Sequence, residues 1–126
     1  MRRFIQVVTT TDDKAEAERI ARILIDERLA ACVQILGPIT STYRWAGRVE
    51  TAREWLCLIK SRQDLFPFVE RVIRANHHYD VPEIIALPIM ATGRDYGKWL
   101  EHELTARRSR VRGPRTGTRV GRRIVR

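Results

Sequence analysis

The sequence predicts an α+β sandwich: one antiparallel sheet backed by helices, with a central hairpin too long for the body it belongs to. Three features point to it. Residues 30–62 (AACVQILGPITSTYRWAGRVETAREWLCLIKSR) hold two runs rich in Val, Ile, Thr, Tyr and Trp around Ala46-Gly47-Arg48. Such residues fit a pleated, half-buried surface, and the glycine supplies a turn. Segments with helical spacing lie on both sides of this hairpin. The strands are also apolar on both faces, where a sheet with one face in water alternates cleanly.

Residues 4–10 (FIQVVTT) read as a short apolar, β-branched strand. Thr11, Asp12 and Asp13 follow as N-cap residues, and acids in a first turn complement the helix dipole. Residues 14–29 carry the strongest helical pattern, with Ala17, Ile20, Ala21 and Leu24 at i, i+3, i+4 and i+7. Ile23 and Ile25 broaden that apolar face. In the hairpin, residues 31–45 pair with 49–61, and each arm is about twice the typical strand. Arms of that length overrun a small domain and need cover, which another copy of the chain can supply. Gly37-Pro38 interrupts the first arm. Proline cannot donate to a ladder, so a bulge or edge with a bend is expected there.

Gln63 and Asp64 then cap a helix over 65–76, with Pro67 in its first turn and an apolar face of Leu65, Phe68, Val69, Val72 and Ile73. Residues 77–82 (HHYDVP) have no periodicity and read as a loop. Residues 83–90 (EIIALPIM) form a last strand, placed at an edge by Pro88. Thr92-Gly93 turns into a helix over 94–104, with Tyr96, Trp99 and Leu100 on one side. The first six elements of this order, βαββαβ, match the split βαβ, or ferredoxin-like, pattern, which packs two helices on one face of a four-stranded sheet. One hairpin face carries Val33, Ile35, Leu56 and Leu58, the other Cys32, Leu36, Trp55, Cys57 and Ile59. With both faces seeking burial, a homo-oligomer is expected.

A chain of 126 residues is most simply one domain, here 1–105, followed by a tail at 106–126. The net charge of +9 is confined to that tail, which has nine Arg and no acid from Arg107 onward; residues 1–106 hold 15 basic and 15 acidic side chains. A basic tail without periodicity reads as disordered and able to bind polyanions without sequence preference, or as a solvated appendage; nucleic acid is not expected as a partner of the body. If Trp45 faces Arg48, then Cys32 faces Ser61 and Cys57 faces Leu36. The two thiols then share a ladder face four positions apart, roughly 13 Å at about 3.3 Å per residue. A bridge needs Cα atoms within about 7 Å, so no disulfide is expected. Free thiols suit a reducing compartment, the N-terminus reads as a strand and not a signal peptide, and no segment is long enough for a membrane span. A cytoplasmic protein is expected.

Candidate chemistry is sparse. His77-His78 in the loop reads either as a metal-ligating pair, since imidazole suits copper, zinc and nickel, or as a polar helix exit. Cys32 reads as a soft ligand or redox thiol, or as a small buried hydrophobe; Cys57, within WLCLI, reads as core. Lys60 reads as a strand end, or as the cation of a Lys–Glu pair with Glu54 or Glu83 in a pocket. Tyr43 and Trp45 near the hairpin tip read as a ligand cage or as subunit cover, because Tyr and Trp are enriched at interfaces. No phosphate loop, dinucleotide fingerprint, Ser-His-Asp signature or CxxC pair occurs, and no enzyme activity is expected.

Four stretches, ERLAACVQI (27–35), STYRWAGRVE (41–50), LIKS (58–61) and HHYDVPEIIALPI (77–89), are together similar to the CutA divalent-cation-tolerance family. The resemblance implies ferredoxin-like homotrimers whose hairpins wrap neighbouring subunits, linked to tolerance of copper and other divalent ions, with no established reaction and no required cofactor. It implies Cys32 and His77 as metal ligands; His78, a departure from the family pattern, reads either as a third ligand or as a residue that loosens the loop. It places Tyr43, Trp45, Lys60, Tyr79 and Glu83 around a cleft between subunits. His78 stands where the family usually has proline. An alternative expectation is a trimeric small-molecule sensor or adaptor, analogous in fold to nitrogen-regulatory signalling trimers, with Lys60, Arg44 and Tyr79 contacting an anionic ligand.

Overall fold

The computed structural model describes residues 3–105. The expected polyanion-binding tail at 106–126 lies outside the described residues. The elements are β1 (Phe4–Thr11), α1 (Lys14–Asp26), β2 (Cys32–Trp45), β3 (Arg48–Arg62), a 3₁₀ turn (Gln63–Leu65), α2 (Phe66–Asn76), β4 (Ile84–Pro88) and α3 (Arg94–Thr105). The four strands form one sheet in the order β2-β3-β1-β4, and every neighbouring pair is antiparallel. Element order and the mixed α+β class are as the sequence predicts.

The hairpin closes through Ala46 (φ 51°) and Gly47 (φ 79°), both left-handed, between the paired residues Trp45 and Arg48. A two-residue turn with both central residues at positive φ matches the right-handed twist of its strands. The ladder runs in that register to Ile39↔Glu54, then slips by one at Gly37-Pro38, whose peptide is cis. The indole of Trp55 packs where a Cβ on Gly37 would be, so the bulge needs glycine.

Beyond the bulge Cys32 pairs with Lys60, not Ser61, and Cys57 pairs with Ile35, not Leu36. A slip of one residue exchanges faces. The two thiols therefore lie on opposite faces of the sheet, not on the shared face that an unbroken register predicts. Both are free: Cys57 is buried and Cys32 half-buried.

The core lies between the sheet and the first two helices. Ile5, Val7, Cys57 and Ile59 meet Ala17, Ile20 and Leu24 of α1 and Val69, Val72 and Ile73 of α2. Helix α1 ends at Asp26, short of the Leu29 that its periodicity suggests. Arg28 adopts φ 59°, and the N–H groups of Leu29 and Ala30 return to the Leu24 carbonyl at 2.9 and 3.2 Å. Ile25 is 38% exposed and does not extend the buried stripe. Asp64 does not cap α2. Its carboxylate binds the Arg62 guanidinium at 2.6 and 3.2 Å, and a 3₁₀ turn leads into Phe66. On α3 only Leu100 of the predicted side is buried, together with Leu104; Tyr96 and Trp99 are exposed and stack on each other at 5.5 Å. The sheet face away from the core keeps Leu36, Ile85 and Leu87 nearly half exposed.

Candidate metal centre

The ends of β1 and α2 meet, and a polar cluster forms where they do. Asp13 caps α1, its Oδ1 accepting from the N–H groups of Ala15 (3.0 Å) and Glu16 (3.4 Å). That turn sets Glu16 on the same row as Ile20 and Leu24, so its carboxylate points inward and the residue is 3% exposed. Thr11 Oγ1 donates to Glu16 Oε2 at 2.8 Å. Helix α2 stops at Asn76, and the extended backbone of His77 (φ −106°, ψ 136°) carries the two histidines toward this carboxylate.

His77 is buried, and its Nε2 lies 2.7 Å from the Thr10 carbonyl. A carbonyl only accepts, so Nε2 carries the proton and Nδ1 keeps its lone pair. The Tyr79 N–H donates to that Nδ1 at 3.1 Å. The same Nδ1 stands 3.3 Å from Glu16 Oε2. His78 presents Nδ1 to both Glu16 oxygens at 3.0 Å and Nε2 to Asp12 Oδ1 at 3.1 Å. Tyr79, fully buried, packs its ring against both imidazoles (centroids 4.6 and 4.8 Å) and donates its hydroxyl to Glu54 Oε2 at 2.8 Å. Glu54, also fully buried, accepts from Ser41 Oγ at 2.8 Å. Among the described residues, Glu16, His77 and His78 form the group whose donor atoms all lie within 4.8 Å of one another.

The other expected site residues lie elsewhere in the chain. Cys32 opens β2 opposite Lys60, which pairs with Gln6, whereas Thr10 pairs with Leu56. Cys32 thus sits four residues along the sheet from the His77 anchor, roughly 13 Å at about 3.3 Å per residue. Lys60 Nζ donates to Gln34 Oε1 at 2.8 Å and, with Gln6, Leu87, Tyr96 and Leu100, lines a cavity of about 400 Å³. Tyr96, although 44% exposed, is raised somewhat from its ordinary pKa by partial desolvation of its phenol and, secondarily, by Cys32. Tyr43 and Trp45 stand at the hairpin tip opposite Glu50 and Arg48. Glu83 is half-buried just before β4. Tyr79 backs the histidines instead of lining an open cleft. Burial pushes the Cys57 thiol up to about 11.

Glu16 is the site residue that the sequence pattern did not reveal. It reads as an ordinary acid of a first turn, and its partner His78 is 62 positions away. One signal was present: Glu16 lies one turn before Ile20 on the row that must face the core.

The described residues thus form a small mixed α+β protein, a four-stranded antiparallel sheet with three helices, carrying an imidazole–carboxylate cluster at one end of the sheet. The chain belongs to the CutA1 divalent ion tolerance protein family, whose profile matches residues 5–103. The divalent-cation tolerance protein CutA of Thermus thermophilus is 45% identical over 94 residues, covering 75% of this chain and 91% of that protein. The chloroplastic protein CutA 1 of Oryza sativa subsp. japonica is 44% identical over 98 residues, 78% of this chain and 55% of its own length. The chain spans about half the length of the plant and mammalian relatives it matches.

Among solved structures, the Thermus thermophilus protein superposes with a TM-score of 0.77 at 42% identity, covering 79% of this chain and 97% of that one. The Oryza sativa CutA1 crystal structure gives 0.77 and 42%, with 80% and 93% covered. The family read from the four sequence stretches is borne out, and the sensor alternative gains no support.

Proposed function

We propose that this protein contributes to divalent-cation tolerance by binding a divalent cation, as a homotrimer of ferredoxin-like subunits whose long hairpins cover their neighbours. One observation carries the binding. His77 holds its Nε2 proton on the Thr10 carbonyl and turns an unprotonated Nδ1 toward the Glu16 carboxylate, 3.3 Å away, with His78 alongside. Metal-binding imidazoles are oriented in this way, with one ring N–H donating to a backbone carbonyl. The relatives named for divalent-cation tolerance support the ion class. The strand order β2-β3-β1-β4 supports the ferredoxin-like arrangement, and the uncovered Leu36, Ile85 and Leu87 support burial against further copies.

Calorimetric titration with Cu(II) and Zn(II) tests the binding. About one ion per chain is expected, with His77→Ala weakening it about tenfold or more and Cys32→Ala leaving it unchanged. Absence of binding to the native protein would overturn the reading. Light scattering tests the assembly, with the mass of three chains expected and a monomer at micromolar concentration excluding it.

A further inference from the structure

We infer that the cavity between Lys60 and helix α3 is a binding site for a small monocarboxylate with a compact apolar body, held by the Lys60 ammonium. The site follows from strand register. Lys60 pairs with Gln6, and Gln6 pairs with Leu87, so the three side chains form one row across β3, β1 and β4. Their strand neighbours Val7 and Ile59 belong to the core, and alternation sends the row to the opposite face. Adjacent strands lie about 4.8 Å apart, which sets an ammonium, an amide and an isobutyl group side by side.

Helix α3 supplies the facing wall. Tyr96 and Leu100 are one turn apart and share a side of the helix. Leu100 is fully buried. The row, the helix and the segment 88–92 between them enclose about 400 Å³. Ligand cavities hold about 300–1,000 Å³ and combine apolar walls with a few polar groups that fix orientation. Here Leu87, Ile89 and Leu100 are walls, and Lys60, Gln6 and Tyr96 are the polar groups.

Charge decides the ligand class. Among the described residues no acid lines the cavity. Lys60 Nζ donates to Gln34 Oε1 at 2.8 Å, a neutral amide that leaves the charge unbalanced and two of the three N–H donors for a ligand. By contrast Lys14, Arg22 and Arg28 each lie within 3.9 Å of a carboxylate. A lone ammonium is a point charge that matches one negative charge, and no described Arg lines the cavity to grip a phosphate with its fork. The Gln6 amide and the Tyr96 hydroxyl are neutral donors for the second carboxylate oxygen. Arg44, near the hairpin tip, and Tyr79, buried behind the histidines, are not part of this cavity. The cavity lies on the sheet face that further copies are proposed to cover, so the assembled protein is the form to test.

The test titrates the metal-free full chain with benzoate and, in parallel, with benzyl alcohol, which keeps the ring and lacks the charge. NMR titration should give saturable benzoate binding with a millimolar or tighter Kd, and benzyl alcohol weaker by about tenfold or more. The methyl resonances of Leu87 and Leu100 should shift with benzoate. Lys60→Met keeps the apolar stem and removes the charge, and should weaken benzoate about tenfold or more at unchanged circular dichroism. If that variant fails to fold, the two probes on native protein still decide. Benzoate that does not bind saturably, as when a neighbouring copy fills the cavity, overturns the site. Equal binding of benzyl alcohol, or benzoate binding unaltered in folded Lys60→Met, overturns the carboxylate assignment. With no metal present, this result and the cation-binding result can fail separately.

Discussion

Tyr79 donates its hydroxyl to Glu54 Oε2 at 2.8 Å, and neither side chain has measurable contact with solvent. The bond ties the histidine loop to the hairpin arm, residues 25 positions apart. It also backs the imidazoles, because the Tyr79 ring packs on both. A buried carboxylate depends on its donors, and a hydrogen bond to a charged group contributes about 1.5–3 kcal/mol. Tyr79→Phe should therefore lower unfolding stability by that amount, read from the urea midpoint at unchanged slope. An unaltered midpoint would show that Glu54 finds its stabilisation elsewhere.

Cys57 makes stability depend on alkaline pH. Burial raises its pKa from 9.0 to about 11, so the folded chain keeps a thiol proton that the unfolded chain releases above pH 9. The thiol term is fully favourable below pH 9 and is lost as pH rises toward 11. At about 1.4 kcal/mol per pH unit, that loss amounts to about 2–3 kcal/mol. Urea unfolding from about pH 8 to about pH 11 should show this fall in the native chain and a shallower one in Cys57→Ala. Parallel slopes for the two proteins would remove Cys57 as the cause.

Ala46 occupies the left-handed region at φ 51°, where an L side chain with a Cβ is strained by about 1–2 kcal/mol. Asparagine tolerates that region and is favoured before glycine in this turn. Ala46→Asn should stabilise the protein by about 1 kcal/mol, seen as a higher urea midpoint. A lower midpoint would mean that contacts of the tip outweigh backbone strain.

At the bulge, the Cβ of Gly37→Ala would overlap the Trp55 indole. Overpacking of this kind costs about 1–3 kcal/mol. Trp55→Leu should lower the further cost of Gly37→Ala, since neighbours that share space do not act additively. A double-mutant cycle checks this. If Gly37→Ala costs as much in the Trp55→Leu background as in the native one, the strain lies outside this contact.

Much of the fold was legible because it is written in local patterns. The row Ala17, Ile20 and Leu24 defined the buried side of α1, and Val69, Val72 and Ile73 that of α2; all are buried. Gly37-Pro38 announced a bulge, since proline cannot donate to a ladder. What that bulge did to Cys32 and Cys57 was not legible. A one-residue slip exchanges faces, and its occurrence depends on how Trp55 packs over Gly37. Helix ends were missed for a related reason: Arg28 and Asp64 act through a backbone turn and an ion pair that no periodicity records.

Local pattern was enough to establish the order of elements, the hairpin and its turn, the unbridged thiols, and His77 and His78 as candidate ligands. It could not establish what those histidines face. Glu16 lies 62 positions from His78, and its carboxylate becomes their partner because β1, α1 and the end of α2 converge there in three dimensions. The same convergence leaves Cys32 apart from them. A side-chain cluster of this kind is a matter of a few ångströms between atoms far apart in the chain, and packing, not pattern, sets such distances.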